Sequence, residues 1–152
     1  MKLLRKVISG GQTGIDELAL YLAHQFGIPT GGWMPPGFLT EEGPKPAFES
    51  RYGMTALESG LWAKRTRYNV RHSDATVIFG NIKSGGTVST INFANKFKKP
   101  LCINPSGPEL IAFVSLNQIG ILNVAGNKAS GLPAYYHELA KKSLTDLFSF
   151  ET

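Results

Sequence analysis

Cysteine is almost missing from this chain. Cys102 is the only one in 152 residues, so no internal disulfide and no cysteine-rich zinc site can form. It lies in an apolar, strand-like run, and a buried thiol of this kind suits a reducing compartment. Histidine is scarce as well, and His24, His72 and His137 show no spacing that would gather them on a metal. No apolar run reaches the roughly 18 residues that span a bilayer. The basic start, Lys2 to Lys6, meets only Val7-Ile8 before glycine and lacks the apolar stretch of a signal peptide. The expectations are a cytoplasmic protein with no membrane partner and no metal held by its own side chains. Long charged or low-complexity blocks are also absent. An apolar content of 42% supports a globular fold, and the length fits a single domain over residues 1–152.

The formal charge of +5 is dispersed, and only Lys64, Arg65, Arg67 and Arg71 lie close together. A small anionic ligand explains that as well as a polyanion does. A nucleic-acid module ranks last, because the chain has neither aromatics interleaved on a basic strand face nor a DNA-binding motif.

What the chain has is glycine where strands give way to helices. Ser9-Gly10-Gly11-Gln12-Thr13-Gly14-Ile15-Asp16 follows the apolar pair Val7-Ile8. It precedes Ile15, Leu18, Ala19, Leu22, Ala23 and Phe26, which mark one face of a helix. Unpaired N–H groups and the positive end of the helix dipole suit an anion at such a junction. The segment is neither the dinucleotide fingerprint, since its first two glycines are adjacent, nor a P-loop, since no Lys-Ser or Lys-Thr closes it. By itself it fits a tight turn equally well, with Thr13 as N-cap and Asp16 placed as in a capping box.

Further along, Gly27 and Pro29 end the first helix, and residues 28–32 read as a second strand. Residues 33–53 show no period and are rich in proline and glycine, which predicts a long functional loop, a lid or a subunit contact. Trp33 and Phe38 in it are expected to anchor the loop to the core rather than to stack on a ligand. Residues 54–57 suggest an edge strand, residues 61–72 a largely polar helix, and residues 75–79 a fully buried strand. A second Gly-rich turn, Ser84-Gly85-Gly86-Thr87, then leads into a helix with Thr87 as its cap. Residues 101–104 form a strand, and Ser106 and Glu109 fit a capping box with Pro108 in the first turn of a helix. Residues 119–124 are the last strand. Residues 125–128, with Gly126, Asn127 and Lys128, make a third loop before a helix that starts at Pro133.

This alternation predicts an α/β fold, a three-layer Rossmann-like, doubly wound and mainly parallel sheet. The loops at 10–14, 84–87 and 125–128 each follow a strand and precede a helix, so they open on one edge, where ligands of such sheets bind. The predicted ligand-binding residues are Gly10, Gly11, Gln12, Thr13, Gly14, Ser84, Gly85, Gly86, Thr87, Gly126 and Asn127. Arg65, Arg71, Lys83 and Lys128 are added to neutralise a phosphate, and Asp74 to support the edge. No catalytic residue is assigned.

The chain resembles the putative molybdenum carrier proteins, a family in the wider Rossmann-like group that includes the "lonely guy" nucleotide hydrolases. The matching segments are residues 9–16, Gly31-Gly32-Trp33, Pro36-Gly37, Glu42-Gly43-Pro44, the stretch 65–76, Gly85-Gly86-Thr87 and residues 122–126. The resemblance implies that the first two Gly-rich turns cradle a phosphate of a nucleotide or a pterin such as molybdopterin. It also implies a homo-oligomer, a dimer or tetramer. Hydrolytic relatives carry Pro-Gly-Gly-x-Gly-Thr followed by paired glutamates, whereas here Val88, Ser89 and Thr90 follow the turn. Cleavage of an N-glycosidic bond calls for a carboxylate, so this departure favours a carrier or binder over a nucleoside monophosphate phosphoribohydrolase.

Overall fold

Short β-branched runs alternate with helices that glycine or proline ends, and the elements follow that alternation. The structure, a computed structural model, describes residues 2–60, 62–83 and 85–152. In chain order the elements are β1 (Lys6–Ile8), α1 (Ile15–Gln25), β2 (Thr30–Met34), β3 (Leu39–Thr40), β4 (Gly43–Pro44), α2 (Ala47–Tyr52) and β5 (Met54–Ala56). There follow α3 (Trp62–Arg71), β6 (Ala75–Phe79), α4 (Gly85–Lys96), β7 (Leu101–Ile103), α5 (Gly107–Leu116), β8 (Ile121–Gly126) and α6 (Ala134–Glu151). No helix among the described residues is long and apolar enough to cross a membrane.

Six strands form one parallel sheet in the order β5-β2-β1-β8-β6-β7. The chain leaves β1 toward one edge and β6 toward the other. β8, the last strand, fills the gap between them, pairing Val7 with Leu122 on one side and Val77 with Val124 on the other. This is the topological switch of a doubly wound sheet, with its crevice beyond the carboxyl ends of the central strands.

Strand side chains alternate between the two faces. Val7, Val77, Phe79, Leu122 and Val124 point to a dry core shared with Ile15, Ala19 and Leu22 of α1, Leu110 and Val114 of α5, and Leu144, Leu147 and Phe148 of α6. The opposite face is more polar. Thr76 and Asn123 are buried there as a register pair, and the Asn123 Nδ2 donates to Thr76 Oγ1 over 3.2 Å. A smaller cluster of Leu20, Met34, Phe48, Tyr52 and Met54, with Phe38 against it, closes the β2–β5 side.

The mainly parallel sheet is as expected, and the differences from the sequence reading are local. Residues 33–53 are not one loop. They hold the end of β2, a turn of 3-10 helix at Pro36–Phe38, the antiparallel β3–β4 hairpin and α2. Elements of two to six residues are too short to show a hydrophobic period. Trp33 packs on His72, with ring centroids 4.8 Å apart, and Phe38 joins the small core, so both anchor the segment. Thr13 is not the N-cap of α1. That position is Gly14, at φ 83°, with no side-chain cap. Thr87 lies inside the first turn of α4, which begins at Gly85, while Leu61 and Ser84 lie outside the described residues.

The capping box of α5 forms as the sequence predicts. Ser106 Oγ accepts the Glu109 N–H at 3.3 Å, and Glu109 Oε1 accepts the Ser106 N–H at 2.8 Å. That contact holds the Glu109 carboxyl below its ordinary range. Replacing Ser106 with Ala is expected to cost about 1 kcal/mol, read as a lower urea midpoint at unchanged slope.

Candidate functional site

Three strand-to-helix loops leave the adjacent strands β1, β8 and β6 on the same edge, and one asparagine ties them together. The Asn127 side-chain carbonyl accepts the Asn81 N–H at 2.7 Å, and its amide donates to Asn81 O at 3.1 Å and to Thr87 Oγ1 at 3.3 Å. Its backbone carbonyl accepts the Ile15 N–H at the start of α1. Asn104 clamps the β6 loop from the other side, meeting both backbone groups of Gly80. Gly80 has φ 131°, and a Cβ there would lie 2.3 Å from Asn127 Oδ1, so only glycine fits.

Beside this tie, on the polar face of the sheet, lies a cavity of about 470 Å³. Its floor is Asn123, Ala125 and Gly126 of β8. Its walls are Trp62, Arg65, Thr66 and Asn69 of α3 and Gly85, Gly86, Thr87 and Thr90 of α4. Gly10, Gln12 and Asp16 approach from the first loop, Glu41 from the β3–β4 turn, and Lys128 and Gly131 from the third loop. The size is that of a small-molecule site.

The first loop is not an open anion cradle. The Gly11 N–H donates to Ser9 Oγ, Gln12 N–H to Asp16 Oδ2, Thr13 N–H to Gln12 Oε1, Ile15 N–H to Asn127 O and Glu17 N–H to Gln12 O. The carboxylate of Asp16 fills the place an external anion would take. Arg65 closes over it: its Nη1 donates to Gly10 O at 3.0 Å and to Asp16 Oδ2 at 3.3 Å, with the two side chains only 12% and 9% exposed. A Cβ on Gly10 would lie 2.0 Å from that nitrogen, which explains the glycine. The Arg65 guanidinium stacks on Trp62 at 5.4 Å, and its Nε is buried without a hydrogen-bond partner among the described residues. Burial pushes the Asp16 carboxyl up to about 6, against the opposing pull of Arg65 and of the Gln12 and Gly10 N–H groups. Burial likewise pushes the guanidinium down.

Glu41 reaches the edge from the hairpin turn. It accepts the Thr13 hydroxyl and both the hydroxyl (2.5 Å) and N–H (3.1 Å) of Ser130, while its own N–H goes to Gln12 Oε1. The Ser130 and Thr13 donors hold its carboxyl at about 2. Glu41 thus straps the hairpin across the first and third loops.

Of the residues expected at the site, Gly10, Gln12, Arg65, Gly85, Gly86, Thr87, Gly126, Asn127 and Lys128 line the cavity. Ser84 lies outside the described residues. Gly11, Thr13, Gly14, Arg71, Asp74 and Lys83 do not line it. Gly11, at φ 70°, faces Met34, whose sulfur would lie 2.6 Å from a Cβ. Thr13 serves Glu41 and the Ala129 N–H, and a Cβ on Gly14 would strike Asn127 O. Asp74 precedes β6 at the opposite edge and accepts the N–H groups of Gly120 and Ile121, and Arg71 ends α3 at that same edge. Lys83 is exposed on the turn before α4. Asp16, Trp62, Asn69 and Glu41 also line the cavity without being expected there: Asp16 reads in the sequence as part of a capping box, and no local pattern marks the other three. Asn69 clamps both backbone groups of Trp33.

A family model, the circularly permutated YpsA SLOG family, matches residues 7–148. A solved structure described as a putative molybdenum carrier protein from Syntrophus aciditrophicus SB superposes with a TM-score of 0.83. It is 33% identical, and the match covers 97% of this chain and 96% of that one. No curated protein matches the chain.

The buried carboxyl makes stability depend on pH. Its folded value of about 6 lies above the ordinary 3.8, so its contribution is complete below about pH 4 and is lost as pH rises through 6. The stability of the wild type relative to Asp16→Asn should therefore fall by about 3 kcal/mol over that window. Urea denaturation of both proteins at several pH values measures it, and a constant difference would place Asp16 as an ordinary carboxylate.

Proposed function

The chain belongs to the circularly permutated YpsA SLOG family, and from that premise we propose that it binds a small phosphate-bearing heterocycle, a nucleotide or a pterin, in the cavity at the carboxyl edge of its sheet. The observation that carries this reading is the meeting of three groups on one cavity: the N-terminal turn of α4, the Arg65 guanidinium and the half-exposed ring of Trp62. A helix N-terminus and an arginine recognise phosphate, and an indole offers a stacking face. A Cβ at Gly85 or Gly86 meets nothing within 4 Å, so the backbone there lies open to a ligand. The similar solved protein is described as a putative molybdenum carrier. A molybdenum-bearing pterin fits as cargo through its phosphate and ring. Among the described residues no three of His, Cys, Asp and Glu converge, so recognition falls on those groups rather than on the metal. In this reading Asp74, Gly11, Thr13 and Gly14 shape the fold, Arg71 and Lys83 are exposed surface charges, and assembly into an oligomer remains the expectation that the family resemblance supplies.

Thermal-shift measurements against nucleotides and molybdopterin test this directly. A ligand at one hundred times its Kd should stabilise the wild type by about 2.7 kcal/mol. Gly86→Val should fold, since its Cβ points into open space, yet lose the shift because its methyls occupy the phosphate position. No shift with any ligand, or a full shift retained in Gly86→Val, would overturn the assignment.

A second reading gains one observation. Asp16 brings to the cavity a carboxyl poised near neutrality, which acid–base cleavage of a nucleotide N-glycosidic bond requires. If the protein is a hydrolase, nucleoside monophosphates will release free base, and Asp16→Asn will abolish release while leaving nucleotide binding intact. Prolonged incubation without free base retires this alternative.

A further inference from the structure

The Asp16 carboxylate and the Arg65 guanidinium in this cavity satisfy each other before any ligand arrives. Arg65 Nη1 is committed to Gly10 O and Asp16 Oδ2, while Nε is buried and unpartnered among the described residues. An oxyanion that reached Arg65 would stand beside the Asp16 carboxylate. Two negative charges a few ångströms apart in a partly desolvated site repel, which favours a proton on one of them. A sulfate or phosphodiester cannot take it near neutral pH, whereas a buried carboxyl can.

The other charged groups facing the cavity do not take that role. Glu41, from the β3–β4 turn, is held ionised by Ser130 and Thr13, and Lys128, from the third loop, is a cation. Among the described residues α4 contributes Gly85, Gly86, Thr87 and Thr90, and β8 Asn123, Ala125 and Gly126. On α3 the remaining neighbours of Arg65 are Trp62, Thr66 and Asn69. Asp16 is thus the titrating group at the anion's position.

We propose that an oxyanion enters this cavity together with a proton, with Arg65 turning its free Nε toward the ligand while Asp16 becomes the neutral acid and donates its O–H to an anionic oxygen. The proton comes from solvent, and no covalent bond changes. The inference rests on the cavity's binding an anion, and it adds that affinity is coupled to pH through one carboxyl. Burial already lifts Asp16 toward the neutral range, so the uptake is inexpensive. Above that range the coupling weakens binding about tenfold per pH unit, as expected for one proton taken up per ligand. Asp16 also discriminates, since it favours a ligand whose anionic oxygen accepts a hydrogen bond and holds Arg65 closed without one.

The test uses inorganic sulfate, whose charge is constant from pH 5 to 8, at ionic strength fixed with chloride. Amide NMR titrations give the affinity, and the side-chain carboxyl carbon shift reports the protonation of Asp16 in the wild type itself. Sulfate is expected to perturb Gly85, Gly86 and Arg65, to bind about tenfold more weakly for each pH unit above 6, and to drive the Asp16 carboxyl to its protonated shift at pH 7.5. Asp16→Asn should bind with little pH dependence, and Arg65→Gln should lose binding at every pH. Sulfate bound in the cavity with Asp16 still ionised overturns the inference and leaves the binding function standing. Sulfate that never reaches the cavity also overturns it, and the nucleotide and pterin thermal shifts then judge the function separately. The wild-type carboxyl signal decides the matter even if Asp16→Asn does not fold.

Discussion

Where a parallel strand runs out, its last N–H and C=O groups lose their neighbours, and something must satisfy them without water. Here the side chain of Asn127 does so for the β6 loop, while its backbone carbonyl receives the first N–H of α1. Asn104 and Asn69 repeat the device on Gly80 and Trp33. An amide is suited to this, because one end accepts and the other donates with the spacing of a backbone pair. These clamps fix the β6 loop, the start of α1 and the end of β2 beside the cavity. Loosening one would free a loop and leave buried polar atoms unpaired, a cost of about 1–3 kcal/mol for each.

The Asp16–Arg65 pair is the second constraint, and it changes what the first Gly-rich turn is for. That turn has the composition of an anion cradle, yet the N–H groups of Gly11, Gln12, Thr13 and Ile15 are spent on Ser9, Asp16, Gln12 and Asn127. The anion at the start of α1 is built in. Gly10 is small so that the guanidinium can cross it, and Gly11 is small so that Met34 can pack behind it. The second turn has the opposite character, for a Cβ at Gly85 or Gly86 would meet nothing within 4 Å and both residues line the cavity. Two glycine-rich junctions that look alike in sequence are therefore a closed turn and an open one.

Local rules account for what the sequence alone made plain. The buried strand at residues 75–79 is a short run in which Thr76 is the one polar residue, and the α5 capping box involves groups three residues apart. The apolar stripe of α1 and the glycine-ended helices likewise need only neighbours in sequence. The family resemblance rests on motifs spread along the chain, and the matched family model and solved structure agree with it. The hairpin and short helix within residues 33–53 escaped because elements so brief carry no period. Asp74 was assigned to the wrong edge: it follows a helix and precedes a strand, and only a junction of strand to helix opens toward the crevice.

The sequence by itself determined the alternation of strand and helix, and hence that the loops after β1, β6 and β8 share one edge, since parallel strands all point the same way. The tertiary structure alone decided which groups on that edge remain open. Arg65 finds Asp16 across 49 residues, Asn127 finds Asn81 across 46, and Glu41 finds Ser130 across 89. The Asn127–Asn81 pairing follows from β8 lying beside β6, and the other two from where α3 and the β3–β4 hairpin come to lie against the loop edge, a choice made by the packing of whole strands and helices. No local pattern encodes them, because hydrogen-bond partners so far apart in sequence are set only when the core has brought their elements together.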